Sequence, residues 1–435
     1  MSLPPLLHTK DTLPNGLRVV TVETPHLHSA ILSVYVRSGS RHESSELMGI
    51  SHFLEHMFFR GSERYRDTVE MNARVEEAGG NLNGITTRDH GYYYTPLHPG
   101  QLEVGFEVIG DMLATPRLVQ IETERQIILE EMLDEVDETG RDIDIDNLSK
   151  AMLFAGNGLA HKIAGTPKTV KRIGLEDLRE HHRRMYVGPN LVLACAGPIS
   201  RSQVLELAER HFGRLPAAGE PPAEALPLPP PPGPTVNLLD HEDSQQTEMR
   251  LNFLAPPEHD PDFPALLLAR RILDDGLSSR LPFEVVEKRG LAYALHAGID
   301  TYSDLSLFEV EVACAHQKVP TVLATIGDVL GGFASDGPTA AELDRAKRRY
   351  RMGLEFALDS ASDLAGWFGG TELWRPAETF EERVARVEAV TADDLRRVCT
   401  KIFSRSNLHM MLVGRGGGRA EQKLKRQASE LPLPK

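Results

Sequence analysis

Two imidazoles and a carboxylate stand together in His52-Phe53-Leu54-Glu55-His56. Histidines four residues apart leave a helix from one face, about one turn apart, which is the spacing a shared metal ion needs. Neutral imidazole suits zinc, and Glu55, beside the pair, is placed to take a proton from the water that attacks a carbonyl. Chance co-occurrence is the ordinary explanation of such a pattern, and context weakens it. Ile50, Phe53, Leu54, Met57 and Phe58 make the segment largely apolar, and burying two histidines and an acid among them is costly unless an ion compensates.

Catalytic zinc usually takes three protein ligands, so one more must come from elsewhere. The segment from Glu122 to Asp137 reads as a long helix. Glu124, Ile128, Glu131 and Glu135 share one side of it with Ile127 and Met132, whereas Glu130 points away. An acidic stripe on an amphipathic helix is commonly a solvated face. Acids that share a side with isoleucines are expensive unless paired or metal-bound, so Glu131 is the expected third ligand of one zinc ion per chain.

The elements that must position these groups follow from the wider pattern. With 435 residues, 41% hydrophobic and 26% charged, the chain is long enough for two domains with sizeable cores. Cys195, Cys314 and Cys399 are too few and too scattered for a disulfide framework or a cysteine zinc ribbon. No secretory leader or apolar stretch of spanning length is evident, so a cytoplasmic protein without a membrane partner is expected. The net charge of -15 argues against nucleic acid.

The run PAAGEPPAEALPLPPPPGP should form a stiff connector. It divides the expected organisation into a zinc-binding domain over 1–218, a linker over 219–234 and a second domain over 235–435. Each half repeats one order of elements: strands, a helix, paired strands, then two helices. Asn15-Gly16 marks a hairpin turn in the first half. The expected class is α+β, with two related sandwich domains, each an antiparallel-rich sheet with helices packed on it. The tail after Gly414 is Gly-rich and basic, and is expected to fray.

At this point the chain resembles the pitrilysin and insulinase superfamily of inverted zinc peptidases, whose signature is H-x-x-E-H. The likeness is to its small two-domain members, such as mitochondrial processing peptidase subunits. It runs from LPNGLRVV through ERQIILEEM and YVGPNLVLACAG to GLSSRLPFEVVEKRGLAYAL. The resemblance places the family's ligand on Glu131 and its second acid on Glu124. It implies a half-clamshell that a second subunit closes, and a peptide substrate added as a β-strand along Asn83, Gly84, Ile85 and Thr86. Gly84 stands where alanine is usual.

The family's peptide-cleaving members also carry an arginine and a tyrosine seven residues apart, aimed at the substrate. Tyr293 matches the tyrosine, Val286 occupies the arginine position, and Lys288 and Arg289 lie nearby out of phase. Packing of Tyr293 into a strand is the ordinary alternative. The resemblance therefore implies a zinc-bearing subunit that pairs with an Arg/Tyr-bearing homologue, or else with itself. The expected activity is endopeptidase cleavage of unstructured peptides, with Glu55 activating the hydrolytic water. The alternatives are a structural core subunit, as some relatives in respiratory complexes are, and a dedicated maturase of one peptide precursor.

Overall fold

In a computed structural model, residues 7–219 and 233–435 are described. The connector at 219–234 lies, apart from its ends, outside them. The chain forms two compact units. One comprises the described residues up to Asp134, those from Gly156 to 219, and Leu354–Glu378. The other comprises Glu135–Ala155, the described residues from 233 to 353, and Thr379–Lys435. Each unit is thus built mainly from one half of the chain and completed by a segment from the other.

The first unit holds β1 (Leu7–Thr12), β2 (Arg18–Glu23), β3 (Ala30–Val36), β4 (Asn83–Thr86), β5 (Gly91–Leu97) and β6 (Leu191–Gly197) in the order β1-β2-β6-β3-β5-β4. Only β2 and β6 run parallel; the other pairs are antiparallel. The Asn15-Gly16 turn joins β1 to β2 as expected, with Gly16 at φ 85°, where a side chain would be strained. β6 is apolar throughout and β3 is apolar but for Ser33 and the Tyr35 hydroxyl, and both are buried at every position, which requires cover on both faces. On one face lie α1 (Ile50–Phe58), α2 (Thr68–Glu76), α3 (Leu102–Ala114), α4 (Ile121–Glu131) and, later in the chain, α6 (Pro167–Arg172), α7 (Leu175–Met185) and α8 (Arg201–Phe212). Their Phe53, Leu54, Phe106, Ile109, Val170, Leu178 and Val204 build the core. Cover on β3 and β6 also comes from the borrowed segment, where a Cβ added at Gly369 would meet Ala194 Cβ at 2.2 Å.

The second unit borrows α5 (Ile145–Leu153) in return. Its own strands are β7 (Thr235–Asp240), β8 (Thr247–Ala255), β9 (Leu295–Thr301), β10 (Ser306–Cys314) and β11 (His409–Gly414), ordered β7-β11-β8-β10-β9. The order repeats that of the first unit with one strand fewer, and its one parallel pair, β7 with β11, matches β2 with β6. The α+β reading, with two antiparallel-rich sheets and helices packed on them, holds. Helices α9 (Phe263–Leu273), α10 (Arg280–Pro282), α11 (Val319–Asp336), α12 (Ala340–Ala357), α13 (Ala361–Ala365), α14 (Phe380–Glu388) and α15 (Ala392–Ile402) follow in the sequence, α13 falling in the segment lent to the first unit. The side of the second sheet that meets α5 is polar. Lys150, fully buried, reaches Glu309 at 2.5 Å and Asp300 at 3.0 Å. Arg250 pairs with Asp146 and, at 2.8 Å, with Glu311.

The tail departs from expectation. Instead of fraying, Gly418–Glu430 forms α16, which buries Leu424 and Ala428, and the chain then buries Leu431 and Leu433. The tail passes so close to α11 that a Cβ at Gly331 would lie 2.1 Å from Pro432 O. Leu424 and Ala428 are one helical turn apart, an apolar spacing that the surrounding charges and glycines obscure. Among the described residues, no helix is long and apolar enough to cross a membrane.

Candidate metal centre

Helix α1 carries the H-x-x-E-H pattern and starts abruptly. Its N-cap, Gly49, has φ 93°, and a Cβ there would lie 2.5 Å from Ala164 O, so glycine is required on both counts. A glycine offers no side-chain cap, and Glu43 supplies one instead. Its carboxylate accepts from Gly49 N at 2.7 Å and Ser51 N at 2.8 Å, satisfying first-turn donors that the helix leaves free. Burial pushes this carboxyl up to about 7, against the two N–H bonds. Sequence reading passed over Glu43 because its partners are backbone atoms across a loop. Beneath the same turn, His181 Nε2 lies 3.1 Å from Ser51 Oγ and 3.2 Å from Ser38 Oγ. That histidine is buried and bonded to both hydroxyls, apart from the three donors of the H-x-x-E-H site.

Three donor atoms converge at the exposed side of α1. His52 Nε2 and His56 Nε2 are 3.3 Å apart, and Glu131 brings its oxygens to 3.7 Å from the first and 3.6 Å from the second. Metal–ligand bonds of about 2.1 Å in a tetrahedron place donors about 3.4 Å apart, so the spacing and the N, N, O donor set fit zinc. Glu131 sits at the end of α4 with its side chain 51% exposed. Ile127, expected on the apolar side, is exposed, whereas Glu124 and Ile128 are buried, so the inward face of α4 is rotated slightly toward Glu124.

Glu124 meets the other edge of His56. Its Oε2 lies 3.1 Å from His56 Nδ1, and Arg60 Nε donates to its Oε1. An Nδ1–H held by a carboxylate leaves Nε2 with its lone pair toward the Glu131 side, the arrangement that makes a histidine a good ligand. Burial opposes the charge on Glu124, but His56 and Arg60 hold its carboxyl below the usual range. Burial pushes His52 down to about 3, keeping it neutral and able to ligate. His56 moves the other way, raised by Glu124, Glu55 and Glu131 against burial.

Glu55 is buried between α1 and the edge strand β4. Its Oε2 accepts from Thr86 Oγ1 at 2.5 Å, and burial raises its pKa. Glu55, His56, Phe59, Arg60, Thr68 and Glu124 line a cavity of about 300 Å³ beside the three donors. Asn83, Gly84, Ile85 and Thr86 form β4, which among the described residues pairs only with β5 and so presents an edge free of other strands. Tyr293 lies in the second unit, just before β9, and is 95% exposed, which excludes packing in a core. Val286 lies in the helical turn Phe283–Glu287. Lys288 Nζ bonds Glu284 at 2.9 Å, and Arg289 also pairs with Glu284.

Family models match both halves: the insulinase model, peptidase family M16, over residues 18–167, and the peptidase M16 inactive domain over 172–350. The chain belongs to the insulinase family. Within it, an uncharacterized zinc protease of Mycobacterium tuberculosis is 31% identical over 408 residues, 91% of each chain. The beta subunit of the mouse mitochondrial-processing peptidase is 28% identical over 401 residues, 89% of this chain and 81% of that one. The M16 fold is shared with a protease from Helicobacter pylori at TM-score 0.85 and 22% identity, covering 94% of this chain and 99% of the other. The small two-domain branch is thus the one this chain represents.

Proposed function

We propose that the protein is a zinc-dependent endopeptidase subunit in which His52, His56 and Glu131 hold one metal ion. The observation that carries the reading is the convergence of His52 Nε2, His56 Nε2 and a Glu131 carboxylate, from two helices, at 3.3 to 3.7 Å. The zinc-protease names of its relatives support the choice of metal. Zinc bound by these residues would polarise the scissile carbonyl and acidify the attacking water. Glu55 takes the water's proton on its carboxylate and delivers one to the leaving amine. Glu124 acts through His56, fixing the tautomer that ligates.

The free edge of β4 receives the peptide through backbone hydrogen bonds. The donor to the developing oxyanion is either the exposed Tyr293 or an arginine of a partner subunit. Neither cation near the absent arginine is free for that task, because Lys288 and Arg289 both engage Glu284. This supports a homologous partner subunit as the source of the arginine, with self-pairing through Tyr293 as the other arrangement. Glu55→Gln is expected to keep about one zinc per chain and to lose about 10³-fold or more in hydrolysis of unstructured peptides, whereas His52→Ala loses the metal as well. Normal turnover by purified Glu55→Gln would falsify the mechanism.

A further inference from the structure

The strand proposed to receive the peptide also touches the proposed base. Alternate residues of β4 face α1: a Cβ at Gly84 would lie 3.1 Å from Glu55 Cγ and 3.1 Å from the Phe59 ring, and Thr86 Oγ1 donates to Glu55 Oε2 at 2.5 Å. Ile85, between them, is exposed. Gly84 therefore leaves Glu55 without a tight side-chain wall, and Thr86 supplies its polar hold, the hydroxyl more strongly than the backbone N–H. Thr86 is itself well fixed. It pairs with Gly91 across the hairpin, and the next residue closes the turn through Thr87 N to His90 O at 2.8 Å.

We infer that Thr86 is a positioning residue for Glu55, its hydroxyl fixing the orientation of the carboxylate beside the three converging donors. The terminal torsion of a glutamate is broad, so a carboxylate without a partner spreads over many orientations. A displacement of about 1 Å in a reacting group costs on the order of 10²-fold in rate. A residue that only served the incoming peptide would act through its backbone, which no side-chain substitution removes. A residue that only stabilised the strand would need its β-branch and no hydroxyl. The inference rests on the peptidase reading for its kinetic consequence and on geometry alone for its structural one.

Thr86→Val keeps the branch and removes the hydroxyl, and Thr86→Ser keeps the hydroxyl. On a fluorogenic unstructured peptide, Thr86→Val is expected to lose about 10- to 100-fold in kcat, with KM within about twofold and zinc content unchanged. Thr86→Ser should stay within about threefold of wild type. Wild-type kcat in Thr86→Val, a change confined to KM, or a serine variant no better than valine would each overturn the assignment. A second readout needs no activity. In the metal-free protein, the infrared carboxylate band of Glu55, isolated by difference against Glu55→Gln, should move in Thr86→Val and return in Thr86→Ser. A band that stays in place overturns the assignment even if the wild type hydrolyses nothing, an outcome that sinks the peptidase reading instead.

Discussion

His56 is held at Nδ1 by Glu124 and faces Glu131 with Nε2, 3.6 Å away. Removing the Glu124 carboxylate frees the ring to turn and to take the other tautomer. Glu124→Ala is therefore expected to weaken zinc binding about 10- to 100-fold, measured by competition with a chelator, while His52 and Glu131 stay in place. These residues were legible because their signal is local: the histidines share one helical turn, and Glu131 follows from the phase of a single helix. Glu43 and the hydroxyl of Thr86 were not, because each acts across a loop on an atom that no spacing rule connects to it. The exposure of Tyr293 was equally hidden, since an aromatic before a strand reads the same whether it faces in or out.

At the level of elements, the weak point of the metal helix is its glycine start. With Glu43 absent, Gly49 N and Ser51 N lose their acceptor inside the protein. Glu43→Ala should cost about 1–3 kcal/mol in thermal or denaturant unfolding, and also loosen zinc, because His52 lies in that first turn. In the second unit, Arg280 and Thr339 hold Glu342 down to about 2 from 4.5. A depressed carboxyl stabilises the fold above its ordinary pKa, and the contribution is lost as pH falls through the folded value. The stability advantage over Glu342→Gln, about 1 kcal/mol after solvent screening, should be present at pH 6 and shrink progressively as pH falls below about 4. The element order of both halves could be read from hydrophobic periods and turn residues. The tail could not, because its few leucines find a buried place only through the close approach that the glycines of α11 allow.

For the whole molecule, the decisive fact is the exchange of segments. The first sheet is covered in part by Leu354–Glu378, and the second by α5 from Glu135–Ala155. No periodicity shows this, since each borrowed segment looks like an ordinary helix of its own half. Residues 1–219 produced alone should aggregate or remain unfolded, whereas co-production with 220–435 should yield a soluble pair, measured by size-exclusion chromatography. The same exchange sets a timetable during synthesis. A ribosome that has finished the zinc-bearing half has not yet made the strip that closes its sheet, so β3 and β6 must wait for about 160 further residues, roughly ten to thirty seconds at ordinary elongation rates. Until then the nascent protein depends on chaperones or on loose self-association to keep two of its most apolar strands out of trouble.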